Sequence, residues 1–228
     1  MQSYDLKYEK LEMPNYILRN IFFQYKFYKR LFDLIFAIIF ICILSPIFIA
    51  ISLLVKASSR GDIIYNQVRI GLNKKKFACK KFRTMHPEAD DILKKILSEN
   101  NDIKKEYLTS FKIKNDPRIT PIGKFLRITS MDELPQLINV LRGEMSIVGP
   151  RPIVNEEIPK YGDAIQEVFS VKPGMTGLWQ VSGRNKLSYE KRVYLDLKYA
   201  KQRNIVMDIR IIIRTIGVIL FPFDRGAY

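Results

Sequence analysis

Asp132-Glu133 is an adjacent carboxylate pair standing directly before Leu134-Pro135. Proline has no N–H to donate and fits best in a helix's first turn, so the spacing predicts a helix starting near Met131 or Asp132 with both carboxylates at its N-terminus. Two jobs suit carboxylates placed there. Ser130-x-x-Glu133 spells a capping box, and the helix dipole favours acids at that end. The same end also binds phosphate and keeps a nearby carboxylate ionised, the form a nucleophile needs. Arginines stand on both sides of the pair. Arg127 precedes it, and Arg151 lies in Gly149-Pro150-Arg151-Pro152, a stiff loop from which a guanidinium could grip phosphate oxygens in a fork. Taken singly, each arginine is more readily a solvated or ion-paired surface charge. Lys80, Lys81 and Arg83 add positive charge, for which attraction to an anionic membrane, at about 1 kcal/mol per residue, is the other use.

Composition narrows the chemistry. The chain has 228 residues, enough for one or two folding units, and a formal net charge of +15, which suits phosphate-bearing partners. His86 is the single histidine, and Cys42 and Cys79 are the two cysteines, one of them inside an apolar run. Zinc sites of the Cys/His type lack ligands, a Ser-His-Asp triad would have to use His86, and no disulfide framework is available. Any metal should be a hard ion held by oxygens.

Something must hold this chemistry at a membrane, because Leu34 to Val55 runs 22 residues without a charge. A straight helix of that length covers about 33 Å, enough to cross a bilayer. Ser45-Pro46 interrupts it. Proline removes a helical hydrogen bond and clashes with the carbonyl four residues back, so a sharp bend is expected, with the Ser45 hydroxyl able to bond a freed carbonyl. Basic residues crowd both flanks: Lys26, Lys29 and Arg30 before the run, then Lys56, Arg60, Arg69 and Lys74 to Lys76 after it. Symmetric flanks suit a re-entrant hairpin with both ends on one face, whereas a kinked spanning helix is the alternative that bilayers tolerate well.

Around this anchor the patterning predicts a surface helix near Tyr16 to Tyr28 with Ile17, Ile21, Phe22 and Tyr25 on one face. A β-hairpin should turn at Gly71-Leu72-Asn73, and a polar helix should run from about Pro87 to Tyr107. Asn115 to Gly123 is turn-rich and leads into a short helix through Leu126; the helix that opens at the acidic pair should end at Gly143. Val171 to Asn185 reads as a loop with a type II turn at Pro173-Gly174, either part of substrate recognition or plain scaffold, and Trp179 in it could stack on a base or simply pack. A helix from Tyr189 to Arg203 precedes Ile205 to Phe221, which suits an interfacial helix or a buried core helix.

Taken together, SPIFIAISLLVK, QVRIGLNKKKFACKKFRTM, NDPRITPIGKFLR, SMDELPQLINVLRGEMSIVGPRP, VKPGMTGLWQVSGRN and the final GAY resemble the bacterial sugar transferases. These are the monotopic phosphoglycosyl transferases that begin glycan assembly on polyprenyl phosphate. The resemblance runs in order from about Lys29 to Tyr228, and with only about 28 residues before it the chain reads as a core-only form.

The resemblance implies an α+β fold in which a small membrane-associated catalytic domain carries an N-terminal re-entrant helix hairpin and interfacial amphipathic helices. Its segments would be 1–28 (polar), 29–58 (the re-entrant helix broken at Ser45-Pro46) and 59–228 (catalytic, on the cytoplasmic face of the bacterial inner membrane). Asp132 would be the nucleophile, Glu133 a Mg2+ ligand, and Arg127, Arg151 and Lys81 would bind substrate phosphates. The partners implied are a UDP-sugar donor, an undecaprenyl phosphate acceptor and membrane lipid, with no role for nucleic acid and room for a homo-oligomer. The competing reading is a membrane-tethered basic binding or scaffold protein without catalysis. The sugar itself is not encoded in these motifs.

Overall fold

The computed structural model describes residues 15–110, 113 and 115–220, with side-chain packing described from Gln24 onward. The expected apolar face at Ile17, Ile21 and Phe22 and the final GAY lie outside those limits. Helix and sheet are mixed, as expected for an α+β chain.

Helix α1 (Asn15–Ser58) takes in both the N-terminal surface helix and the apolar run as one 44-residue element. The helix runs on through Pro46, so the two halves are not separated by a loop. Ser45 explains how the proline is accommodated: its hydroxyl donates to the Cys42 carbonyl at 2.8 Å, the acceptor that Pro46, lacking an N–H, leaves free. Ala37, Ile41, Phe48, Ile51 and Val55 recur at helical spacing and pack on the rest of the chain. On the other side Ile35, Ile39, Ile43, Ile49 and Leu53 stay exposed. By length and composition the stretch Gln24–Ser58 could cross a membrane.

Strands β1 (Ile64–Ile70) and β2 (Lys76–Phe82) form the expected antiparallel hairpin, with Ile64 opposite Phe82 and Ile70 opposite Lys76. Asn73 and Lys74 take positive φ at its turn. The single helix predicted over 87–107 is two, α2 (Ala89–Glu99) and α3 (Asn101–Ser110). Asn100 divides them because its backbone is extended and its side-chain oxygen accepts the N–H groups of Asp102 and Ile103, capping α3.

Helix α4 (Pro121–Thr129) starts with Pro121 behind Thr120, whose hydroxyl accepts the Gly123 N–H at 2.9 Å. Helix α5 (Gln136–Arg142) ends at Gly143 in the left-handed region, as expected. Between them the expectation fails in a specific way. Ser130 is itself left-handed, closes α4 with its N–H, and makes no side-chain cap, so no capping box forms. Met131–Glu133 is a 3-10 turn that winds through Leu134 and Pro135 into α5.

Strand β3 (Ser146–Val148) pairs in parallel with β4 (Gly174–Thr176). Gly174 therefore opens a strand and has no positive φ, which replaces the type II turn expected at Pro173-Gly174. Helix α6 (Ala164–Val168) leads toward α7 (Tyr189–Gln202) and α8 (Ile205–Leu220). Helix α8 shares both readings of its sequence: Asp208, Ile211 and Val218 are buried, while Ile209, Ile213, Ile216 and Leu220 are exposed.

One core cluster joins Ala37 of α1, Cys79 of β2, Leu137 and Val140 of α5, Ile147 of β3, Tyr199 of α7 and Ile211 of α8. A buried polar network ties the same elements together. Lys29 lies 3.1 Å from Asp33 and 3.3 Å from Asp208, and Tyr199 donates to Asp208 at 2.7 Å. A buried charge is tolerated only when paired, so these links fix how α1 docks on the body.

Candidate active site

The acidic pair is placed by what surrounds the 3-10 turn. The left-handed Ser130 reverses the chain after α4, and the turn then packs against β2. Asp132 is 9% exposed, whereas the Glu133 side chain is 40% exposed. Lys81, next to last in β2, reaches both: its ammonium lies 2.6 Å from Glu133 Oε1 and 3.9 Å from Asp132 Oδ2. Strand alternation separates the neighbouring cations. Lys80 points the other way and donates to Asn66 at 3.1 Å. Arg83 leaves the site altogether, donating to the Val55 and Ser59 carbonyls at 3.3 and 2.7 Å and to Asp62, so it closes the end of α1.

Arg127, in the last turn of α4, is oriented by a bond from Nε to the Thr84 hydroxyl at 3.0 Å, and its terminal nitrogens make no hydrogen bond among the described residues. Arg151 is held through its loop. The Pro150 carbonyl accepts from Gly174, the Pro152 carbonyl from Arg69 at 3.1 Å, and the Ile153 carbonyl from Ile70. Its guanidinium lies 5.9 Å from the Trp179 ring, with Arg192 at 5.0 Å from the same ring. Trp179 is 6% exposed, so it packs beneath these arginines and offers no open face for stacking. The stiffness predicted for Gly149-Pro150-Arg151-Pro152 has a tight base: a side chain on Gly149 would begin 2.5 Å from the Lys172 carbonyl and 2.7 Å from the Gly174 nitrogen. Gly149→Ala should cost at least about 3 kcal/mol, read as a lowered Tm and a poor yield of folded protein.

Sequence reading placed Arg69 only among the flanking charges, and missed its part here. Buried in β1, it donates twice to Gln67 and once to Pro152, and lies 3.7 Å from Glu157. Asp196, buried in α7, also escaped notice; it accepts from the Tyr161 hydroxyl at 2.9 Å. Burial pushes its carboxyl up to about 7. A lone basic residue in a strand and a lone acid in a helix carry no signal at the sequence level.

The two adjacent carboxylates titrate apart. Burial raises Asp132 to about 6, the neighbouring Glu133 charge adds to the rise, and Lys81 and Arg127 oppose it. Burial would raise Glu133 too, but the Lys81 ion pair and hydrogen bond, with Arg151 and Arg69 behind them, hold it below the ordinary carboxylate range. Lys81 stays charged for the reciprocal reason: Glu133 and Asp132 outweigh its burial and raise it. A pair of acids separated in this way, within reach of three cations, can supply an ionised carboxylate to a phosphorus centre and stabilise the charge around it.

No group of three or more carboxylate, imidazole or thiolate side chains that could hold a metal occurs among the described residues. Glu133 nevertheless suits a magnesium ion that takes one or two carboxylates and completes its shell with substrate oxygens, because Lys81 occupies only Oε1 and the side chain is part-exposed.

Residues 24–222 match the profile of the bacterial sugar transferases. The chain belongs to that family. Among relatives of this sugar transferase, the undecaprenyl-phosphate galactose phosphotransferase of Salmonella typhimurium is 46% identical over 203 residues, which are 89% of this chain and 42% of the relative. The UDP-galactose-lipid carrier transferase of Erwinia amylovora is 48% identical over the same shares. The exopolysaccharide production protein ExoY of Sinorhizobium fredii is 44% identical over 88% of each chain. The chain thus spans about two fifths of the length of the first two relatives.

Proposed function

We propose that this protein moves a hexose-1-phosphate from a UDP-sugar to undecaprenyl phosphate, releasing UMP, in the first membrane step of glycan assembly. The observation carrying this reading is the buried Asp132 beside Lys81, with Arg127 acting electrostatically on Asp132 and Arg151 on Glu133. The ionised Asp132 carboxylate attacks the sugar-bearing phosphorus; the bond to the UMP oxygen breaks, leaving an aspartyl phosphosugar. The phosphate of undecaprenyl phosphate then attacks that phosphorus, forming the lipid diphosphate sugar and returning Asp132 as a carboxylate. Lys81, Arg127 and Arg151 orient the donor phosphates and offset charge on their non-bridging oxygens, since phosphoryl transfer depends mostly on positioning and electrostatics. Magnesium, with Glu133 as ligand, would supply further charge neutralisation and leaving-group stabilisation when bound.

The same reading makes the protein monotopic on the cytoplasmic face, with α1 re-entering that face at the Ser45-Pro46 bend and α8 lying in the interface. What supports it is that both ends of the apolar run are fastened to one body. Arg30 donates to Val140 and Leu141 at 2.6 and 2.9 Å, while Ile51 and Val55 pack with Phe82 and Leu126. A helix whose ends share one soluble body is poorly suited to ending on opposite faces. The apolar outer faces of α1 and α8 would meet lipid, bringing a soluble nucleotide and a lipid phosphate to one site.

A basic scaffold without catalysis would not need an acid buried between cations. The two readings part in one assay: purified protein with undecaprenyl phosphate and magnesium should release UMP from at least one member of a UDP-hexose and UDP-N-acetylhexosamine panel. Absence of release across the panel, from protein that is folded and membrane-bound, would overturn the enzymatic reading.

A further inference from the structure

A cavity of about 260 Å³ opens beside the basic stretch Lys26 to Arg30 of α1, and none of the residues around Asp132 lines it. Five cations border it: Lys26, Lys29, Arg30, Lys172 and Arg203. Two carboxylates face them, and both are engaged. Asp33 accepts from Lys29, from the Ser146 hydroxyl at 3.0 Å and from the Ile147 N–H at 3.0 Å. Asp208, behind the wall, accepts from Lys29, Tyr25 and Tyr199.

Arg30 and Lys172 make no hydrogen bond or ion pair to a carboxylate among the described residues. Both terminal nitrogens of Arg30 go to neutral carbonyls, those of Val140 and Leu141. Lys172 makes no hydrogen bond or ion pair among the described residues. Arg30 Nη2 and Lys172 Nζ each lie 3.5 Å from the point where a side chain on Gly143 would begin, which puts the two cations no more than about 7 Å apart. Burial first, and then Arg30, lower the pKa of Lys172, and Asp33, already paired with Lys29, opposes them only in part. Arg30 serves the fold through the Val140 and Leu141 carbonyls, whereas Lys172 beside it makes no such bond. A bound phosphate would offset the repulsion between the two cations.

The walls indicate what the phosphate is attached to. Leu72, Val148 and Val171 give the cavity an apolar side. Its rim lies between two elements whose outer faces are apolar: Phe27 and Tyr28 of α1 are 60% and 58% exposed, and Ile205 and Val206 open α8 directly after Arg203. We propose that this cavity is a second phosphate-ester site, separate from the Asp132 site, that takes the headgroup phosphate of an anionic membrane lipid and pins the Lys26 to Arg30 stretch of α1 at headgroup depth. A free phosphate would use the same cations without the apolar wall.

The test uses the full chain in neutral detergent, with thermal unfolding followed against short-chain phosphatidylglycerol, short-chain phosphatidylcholine and inorganic phosphate. Phosphatidylglycerol should raise Tm saturably. Lys172→Gln should weaken its midpoint by about fivefold, one cation's worth of surface attraction, and Lys172→Arg should restore it. If inorganic phosphate saturates at the same concentration as the lipid, and Lys172→Gln weakens both alike, the phosphate site stands but its lipid source is overturned. Equal midpoints for wild type and Lys172→Gln, or phosphatidylcholine acting as well as phosphatidylglycerol, would overturn the site.

Discussion

Asp132→Asn should lower sugar-phosphate transfer by at least about ten-thousandfold, equivalent to roughly 5 kcal/mol of lost transition-state stabilisation, while leaving the protein membrane-bound and as stable as wild type or more so. The stability half follows from linkage. A carboxyl raised from 3.8 to about 6 on folding favours the fold in its protonated form. That contribution is present at low pH and fades as pH rises through the interval, so at pH 7.5 the ionised, buried carboxylate costs the fold up to about 3 kcal/mol. Asparagine is neutral and isosteric, and removes the cost. The Tm advantage of the variant should be visible at pH 7.5 and shrink below pH 5. Radiolabelled UDP-sugar offered without acceptor should mark wild type and leave Asp132→Asn blank. A purely structural Asp132 predicts the opposite pattern: a lower Tm with transfer only mildly reduced.

Lys81→Met is expected to carry the next largest effect, about a hundredfold in kcat/KM, together with a displaced pH profile. Lys81 lowers the pKa of both carboxylates. With it gone, Asp132 holds its proton to higher pH, so the acid limb expected near pH 6 in wild type should move alkaline by about one unit. Lys81→Arg keeps the charge and should return the limb toward its wild-type position even where the altered head leaves the rate low. Rate profiles from pH 5 to 9 with saturating acceptor give both quantities. An acid limb that stays near pH 6 in Lys81→Met would show that Asp132 does not set it.

The candidate site was largely legible in the chain because its strongest signals are local. Asp132-Glu133 before a proline, an arginine five residues upstream and another between two prolines are short-range patterns, and in the fold Arg127 lowers the pKa of Asp132 and Arg151 that of Glu133. What local pattern could not settle is which of three neighbouring basic residues faces the pair. Lys80, Lys81 and Arg83 look alike in sequence, yet strand pleating and the end of α1 send them to Asn66, to Glu133 and to the Ser59 carbonyl respectively. The capping box at Ser130 was misread for the same reason. Its residue types fit, but the backbone there is closing α4 in the left-handed region, where α4 packs on α1 and the turn that follows packs on β2.

Sequence by itself determined the apolar length of α1, the proline in its middle, the β-hairpin with its turn, and the acid pair with its arginines, since each depends on residue type and short spacing. Tertiary structure alone decided that both ends of α1 share one body, that Asp132 is buried while Glu133 stays part-open, and that Arg69, Asp196 and Trp179 stand behind Arg151. Those outcomes depend on desolvation and on contacts between residues far apart in the chain, and neither burial nor a long-range partner is written into any local pattern.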